Sequence, residues 1–454
     1  MLTYELKKRP GVALYEDLYR KIRQDILSGA LSCGQKLPSK RALATNLKIS
    51  KITVEGAYNQ LLAEGYIRSE EKRGYFVEPV QQTAVKPLEE GKRAAPETAL
   101  LDLTANGCTD FPFSVWSRLQ RQVMLDLKEQ LLLPLPNQGL EELRRAIAGH
   151  LAAFRGMQVS PENILIGAGT DFLYNLLLQL LGRDKIYAVE EPGYDKIRRI
   201  YSAGGVKWIC AELDNQGVVP QSVAQAQVLH ISPSHHYPTG IVMPLSRRAE
   251  LLQWAKDGDR YIIEDDYDSE FRFRSGPVPS LQSLDQAGKV IYMNTFSKTL
   301  ASAIRISYLV LPEALMARFR RELGFYSCTV DSFAQHALAR FLAEGYFEKH
   351  INRMRKMYKA RRNRLITILE NCPQASRLTV LEKDAGLHFL VRVQTELTDT
   401  QLEQLLYGKG IRIRCLSGHY FGQAPREDQS CLVVNYSGLT EQNLRQLEQL
   451  LQEW

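Results

Sequence analysis

The stretch Val290-Ile291-Tyr292-Met293-Asn294-Thr295-Phe296-Ser297-Lys298-Thr299 decides how the larger part of this chain is read. Its first four residues are apolar and β-prone, the pattern of a buried strand. A lysine then stands at the strand end, beside two hydroxyl side chains and seven positions before Arg305. A lysine that is partly desolvated there can lose its proton and form a Schiff base with an aldehyde. An arginine nearby can clamp a phosphate with two hydrogen bonds. Working outward, short apolar runs recur at Asn163-Ile164-Leu165-Ile166, Ile186-Tyr187-Ala188-Val189, Val228-Leu229-His230-Ile231 and Tyr261-Ile262-Ile263, with helical stretches between them. Strands alternating with helices imply an α/β fold with a mainly parallel sheet, whose ligands bind beyond the carboxyl ends of the strands.

Two more polar clusters fall at such ends. Gly167-Ala168-Gly169-Thr170 follows a strand and precedes a helix expected over 171–181. Free backbone N–H groups and the helix dipole make such a turn an anion site, although any strand-to-helix turn favours glycine. The second cluster, Ile263-Glu264-Asp265-Asp266-Tyr267-Asp268, crowds four carboxylates into five positions. It reads as a solvated loop, as a cation site lacking the usual phosphate partner motif, or as the source of one carboxylate for a buried cationic ring nitrogen. A phosphate cradle, a carboxylate for a pyridinium nitrogen and a Schiff-base lysine are together what pyridoxal 5′-phosphate (PLP) requires. If the carboxylate is Asp265, it precedes Lys298 by 33 positions.

The N-terminal fifth is built differently. Leu14, Leu18, Ile22, Ile26 and Leu27 recur at helical spacing, and Ser28-Gly29 ends that helix. Cys33 to Pro38 reads as a loop. Ser39 caps a short helix to Leu47, and Ser50 caps a second that runs to about Glu64. Tyr66-Ile67-Arg68 and Tyr75-Phe76-Val77 flank a polar, glycine-containing turn and form a hairpin. This is the layout of a winged helix-turn-helix, whose second helix enters the major groove with its N-terminal residues, here Ser50, Lys51, Ile52 and Thr53, meeting base edges. Charge agrees. Residues 1–80 hold 14 basic and 9 acidic side chains, a net +5 of the total +7, as expected of a small module for a polyanion. Three segments follow: a DNA-binding domain over 1–78, a Pro-rich polar linker over 79–99, and a cofactor-binding body over 100–454.

Composition sets the outer bounds. The chain has 454 residues, 44% of them apolar and 24% charged, which is ordinary globular usage. Its 7 cysteines form no CxxC pair, so neither a disulfide scaffold nor a zinc ribbon is expected, and no metal is assigned. No apolar run approaches the ~20 residues of a membrane helix, and the polar start lacks the core of a signal peptide, so a cytoplasmic protein without a membrane partner is expected.

In order and wording, Leu37-Pro38-Ser39-Lys40-Arg41 and Arg73-Gly74-Tyr75-Phe76-Val77 resemble the GntR-type winged helices. That resemblance implies DNA contacts by Arg41 and Lys51, a phosphate contact by Thr53, and minor-groove contact by Arg73-Gly74 at the wing tip. The body resembles a fold-type I, class I/II aminotransferase over about 100–454. The likeness is carried by Glu191-Pro192-Gly193-Tyr194, Ser232-Pro233-Ser234-His235-His236-Tyr237-Pro238-Thr239-Gly240, Ile263 to Phe271 and Thr295-Phe296-Ser297-Lys298. It implies that Lys298 forms the Schiff base with PLP, Asp265 holds the ring nitrogen, Tyr267 the phenolic oxygen, and Tyr194 stacks on the ring. Gly169, Thr170, Thr295, Ser297 and Arg305 would hold the phosphate. Tyr237 stands where that family has an asparagine, and His235 is the candidate to replace the lost ring contact. The whole chain resembles the MocR subfamily of GntR regulators. This implies binding to double-stranded operator DNA by a head-to-tail homodimer, each DNA-binding module lying against the other subunit's body.

The pattern also departs from an aminotransferase in the groups that grip a substrate carboxylate. Val433-Val434-Asn435-Tyr436-Ser437-Gly438-Leu439 has glycine at the position of the arginine that grips a substrate carboxylate, and Lys196 replaces the arginine of γ-aminobutyrate-responsive relatives. Arg412 and Arg414 are the candidates to compensate. Losing a charged hydrogen bond removes ~1.5–3 kcal/mol. The expectation is therefore a regulator that senses PLP itself and controls vitamin B6 metabolism. The alternatives are a regulator that senses an amino acid such as γ-aminobutyrate, taurine or D-alanine through an external aldimine, and an aminotransferase with an auxiliary DNA-binding module.

Overall fold

The computed structural model describes residues 2–4, 6, 13–79, 100–105, 107, 110–273 and 278–452. The chain divides into two compact units, Met1–Ala95 and Pro96–Trp454. The expected linker, from residue 80 on, lies outside the described residues.

In the first unit the helix Leu14–Leu27 turns Leu18, Ile22 and Ile26 inward, onto Leu43 of the helix Lys40–Leu47 and Val54, Tyr58 and Leu61 of the helix Lys51–Ala63. Both short helices start where a serine side chain accepts an N–H of the first turn: Ser39 from Ala42 and Ser50 from Thr53, each at 3.1 Å. Each cap satisfies an amide that has no partner inside its helix. The hairpin pairs Ile67–Glu70 with Gly74–Val77. Lys36–Leu37, read from sequence as loop, adds a third strand by pairing with Phe76 and Tyr75. Two residues are too short to show any alternation.

The second unit is α/β, with an eight-stranded sheet at its centre. Across the sheet run Ile164–Gly167, Ser307–Val310, Val290–Thr295, Tyr261–Asp265, Val228–Ile231, Ile186–Glu191, Lys207–Asp214 and Gly217–Val218. Only Ser307–Val310 and the short Gly217–Val218 pair antiparallel to their neighbours. The mainly parallel sheet is thus as the strand-helix alternation implied. The helix Thr170–Leu181 carries Leu173, Leu176, Leu177, Leu178, Leu180 and Leu181 buried on several sides, because it lies between the sheet and other helices. A smaller antiparallel sheet follows, ordered Leu378–Leu381, His388–Val393, Cys431–Asn435 and Arg414–Cys415. No helix of the described residues is long and apolar enough to cross a membrane.

Candidate cofactor site and DNA-binding surface

The parallel strands deliver their carboxyl ends to one cavity of about 310 Å³. Thr170, Tyr194, Asp265, Tyr267, Thr295, Ser297, Lys298 and Arg305 all line it. These eight come from five separate segments, so the sheet topology brings them together.

Lys298 follows the strand Val290–Thr295 and is held mostly out of water. Burial lowers its ammonium below the ordinary lysine range, while Asp268 and Asp265 partly oppose that shift. A lysine so placed releases its proton more readily and becomes a competent nucleophile. Asp265 ends the strand Tyr261–Asp265. Its Oδ2 accepts the Tyr174 hydroxyl at 2.6 Å and lies 3.6 Å from His230 Nε2. Its Oδ1 is buried with no hydrogen-bond partner among the described residues. A carboxylate with one oxygen braced and the other unsatisfied suits a ring N–H⁺ arriving from the cavity. This is the observation by which PLP fits the site.

The four crowded carboxylates are not a solvated loop. All four are buried, and each has its own partners. Glu264 accepts the Leu281 and Gln282 N–H groups at 2.9 Å, and Asp266 meets Arg155 at 3.0 Å and the Tyr292 hydroxyl at 2.6 Å. Asp268 also lines the cavity but is paired with His235 at 2.9 Å, which leaves Asp265 as the cavity carboxylate with an unpartnered oxygen. Strand alternation and the turn after it send neighbouring side chains in opposite directions, so mutual repulsion is replaced by separate pairing.

At the phosphate end, Gly169 precedes the first helical residue, Thr170, at φ +88°, and an added Cβ would lie 2.4 Å from Arg305 Nη2. The first-turn amides of that helix have no intrahelical partner, which is what a phosphate uses. Gly169 is therefore a spacer that lets Arg305 approach and is not itself on the cavity wall. Asp171 also reaches this end, bonded to Lys196 at 2.7 Å and to Arg305 at 3.3 Å. Thr295 and Ser297 hydroxyls are already engaged, Ser297 with the Ile304 carbonyl at 2.9 Å and Thr295 with Ser307 at 2.8 Å.

His235 is placed differently from the contact expected of it. It is not among the cavity-lining residues but sits behind Tyr267, its Nδ1 3.3 Å from the Tyr267 hydroxyl. Tyr237 lines the cavity instead, edge-on to Tyr194 with ring centroids 6.0 Å apart. Sequence reasoning missed Asp171, Tyr174 and His230. Tyr174, one helical turn after Thr170, and His230, inside an assigned strand, could have been reached from periodicity. Asn435 lines the cavity, whereas Gly438 packs on the backbone of Ala105 and Gly107. A Cβ on Gly107 would fall 2.3 Å from Gly438 Cα. Arg412 pairs with Asp102 at 3.5 Å, and neither it nor Arg414 lines the cavity. Arg305, at the phosphate end, is the one arginine on the wall among the described residues.

On the N-terminal unit, Arg41 and Lys51 are exposed and border one groove with Thr45 and Lys48. Ile52, at the start of the same helix, is 80% exposed, an apolar side chain free to meet a base methyl group. The Ser50 and Thr53 hydroxyls lie 2.8 Å apart, so both are partly spent on capping. Arg73 pairs with Glu70 at 2.5 Å beside Gly74, whose φ is +112°.

The architecture defines a class: a winged-helix DNA-binding unit joined to an aminotransferase-fold unit that binds PLP. Comparison with known proteins agrees. Residues 14–77 match the bacterial regulatory proteins of the gntR family, and residues 98–451 match aminotransferase class I and II. The chain is 32% identical to a probable rhizopine catabolism regulatory protein, MocR, of Rhizobium meliloti, over 97% of this chain and 93% of the relative. It is also 32% identical to the HTH-type pyridoxine biosynthesis transcriptional regulator PdxR of Corynebacterium glutamicum, over 98% and 96%. The Pyrococcus horikoshii kynurenine aminotransferase superposes with a TM-score of 0.66 at 24% identity, covering 78% of this chain and 91% of that one. The chain belongs to the MocR-type gntR regulators, which carry an aminotransferase class I and II domain.

Proposed function

We propose that this regulator reads PLP itself and controls genes of vitamin B6 metabolism, with Lys298 as the covalent anchor. The observation that carries this reading is the missing carboxylate grip. The groups that would hold PLP stand on one cavity, while Gly438 is packed against backbone and Lys196 is paired with Asp171. The name of the Corynebacterium relative supports a B6-linked role. Bound PLP would supply an aldehyde and an electron-withdrawing ring. Around it, Asp265 would hold the ring N–H⁺, Tyr267 would donate to the phenolic oxygen, and Tyr194 would cover one ring face. The Thr170 helix terminus, Thr295, Ser297 and Arg305 would bind the phosphate.

The DNA reading assigns Arg41, Lys51, Ser50 and Thr53 to the major groove and backbone, and Arg73-Gly74 to the wing contact, in the cytoplasm. A head-to-tail homodimer is part of the same proposal. Phe113, Leu132, Leu133 and Phe325 are each more than 60% accessible, and these exposed apolar side chains support a second copy that covers them.

The test is binding of cofactor-free protein to DNA upstream of its own reading frame, repeated with PLP and then with a panel of amino acids. PLP alone shifting affinity or footprint, with amino acids adding nothing, supports the proposal. A silent PLP and a shift by one amino acid overturns it in favour of that amino acid as effector.

A further inference from the structure

A buried pair adjoins Tyr267: Asp268, which lines the cavity, and His235, which does not. His235 and Asp268 are each 2% exposed, and His235 Nδ1 lies 2.9 Å from Asp268 Oδ2. The same nitrogen lies 3.3 Å from the Tyr267 hydroxyl oxygen. His235 Nε2 is buried with no hydrogen-bond partner among the described residues. That nitrogen carries no proton, because a buried N–H without an acceptor is costly. The single ring proton then sits on Nδ1, between a carboxylate oxygen and the Tyr267 oxygen. Tyr267 therefore accepts from behind, and its own hydrogen is left to point elsewhere.

The ring cannot turn away from this arrangement. An added Cβ on Gly386 would fall 1.8 Å from His235 Cε1, and the His388 ring lies against it with centroids 4.5 Å apart. Gly386, at φ +68°, is the residue that makes room for the histidine.

Several other titratable groups face this cluster. Asp265 comes from the adjoining strand end, Glu190 from the strand Ile186–Glu191, and His388 from the smaller sheet. Glu382 and His236 face His235, Tyr237 faces Tyr267, and Glu270, Arg272 and Tyr436 face Asp268. Burial pushes Glu190 up to about 8 and His236 down to about 3, disfavouring the charged form of each. Of the carboxylates, Asp268 acts on Lys298 most strongly, with Asp265 second.

We propose that the buried Asp268–His235 pair is a positioning device that holds the Tyr267 hydroxyl as a hydrogen-bond donor towards the cavity and keeps a fixed negative charge beside Lys298. It rests on the reading of the cavity as a PLP site. Neither residue touches the cofactor through a transferred proton; both act through Tyr267 and through the field at Lys298.

The test uses the full chain loaded with PLP, whose visible absorption depends on whether its linkage to Lys298 is protonated. In Asp268→Asn the pH midpoint of that absorption falls by about one unit, the low end for losing a nearby opposite charge. His235→Leu falls in the same direction, because Asp268 loses the N–H that stabilises its charge at 2.9 Å. His235→Gln, which keeps an N–H, restores the midpoint towards wild type. The second measurement is made without PLP: NMR titration of Lys298 after reductive methylation with labelled formaldehyde, in which Asp268→Asn again moves it down.

Two results overturn the proposal. One is an unmoved midpoint and an unmoved Lys298 titration in Asp268→Asn. The other is one equivalent of Co²⁺ bound by wild type and lost in His235→Leu. The ligand atoms of His235, Asp268 and His388 lie within 4.8 Å of one another, so that result would make the trio a metal site. A wild-type protein that takes up no PLP removes the cofactor reading, and the Lys298 titration still decides the role of the pair.

Discussion

Asp265→Asn is the sharpest single perturbation of the cavity. The change is isosteric, and it replaces a carboxylate whose two oxygens have different duties. Oδ2 accepts the Tyr174 hydroxyl at 2.6 Å, which an amide oxygen can also do. Oδ1 has no partner among the described residues and is the one that would meet a ring N–H⁺. A hydrogen bond to a charged group contributes ~1.5–3 kcal/mol. With ~1.4 kcal/mol per tenfold, the dissociation constant for PLP rises roughly 10- to 150-fold. Equilibrium titration of cofactor-free protein with PLP reads this directly. Thermal unfolding of the cofactor-free variant is the control, and its stability stays within about 1 kcal/mol because the Tyr174 contact survives. A PLP affinity within about threefold of wild type, with stability also unchanged, would refute the assignment of Asp265 to the ring nitrogen.

Arg41→Ala combined with Lys51→Ala weakens operator binding and lowers the slope of log affinity against log salt by about 2, if each side chain meets one phosphate. An unchanged slope in a fluorescence-anisotropy titration removes both from the interface. Gly169→Ala forces a Cβ to within 2.4 Å of Arg305 at a backbone φ of +88°. PLP retention should fall at least about tenfold, the cost of ~1.4 kcal/mol, and competition by inorganic phosphate should weaken in parallel. Lys298→Met should stabilise the cofactor-free protein at neutral pH. The folded-state value of Lys298 lies below the ordinary lysine value, so the unfolded chain binds the extra proton and wild-type stability rises with pH through that window. The advantage of the methionine variant therefore shrinks as pH approaches the ordinary lysine value of 10.5; denaturant unfolding that shows a constant difference would contradict the depressed lysine.

Much of this protein was legible in one dimension, for local reasons. The helices Leu14–Leu27 and Lys40–Leu47 and the strand Val228–Ile231 begin and end where periodicity, serine caps and glycines place them, because those signals act within one or two turns of chain. The strand-end positions of Gly169-Thr170, Asp265 and Lys298 follow from the same alternation. The strand Lys36–Leu37 was missed, since two residues acquire strand geometry only from Phe76 and Tyr75 across the wing.

What the tertiary structure decided is which of several similar side chains does which task. Four carboxylates in sequence look alike, yet Glu264 is spent on the Leu281 and Gln282 amides, Asp266 on Arg155, and Asp268 on His235. Asp265 alone among them keeps a bare buried oxygen on a residue of the cavity wall. His235 and Tyr237 are two positions apart, but only the second reaches the cavity. Motif spacing specifies which residues arrive at the end of a strand. Their partners come from segments tens to hundreds of positions away, such as Arg155 and Gly386, and so the direction and charge of each side chain are settled only when the sheet assembles around them.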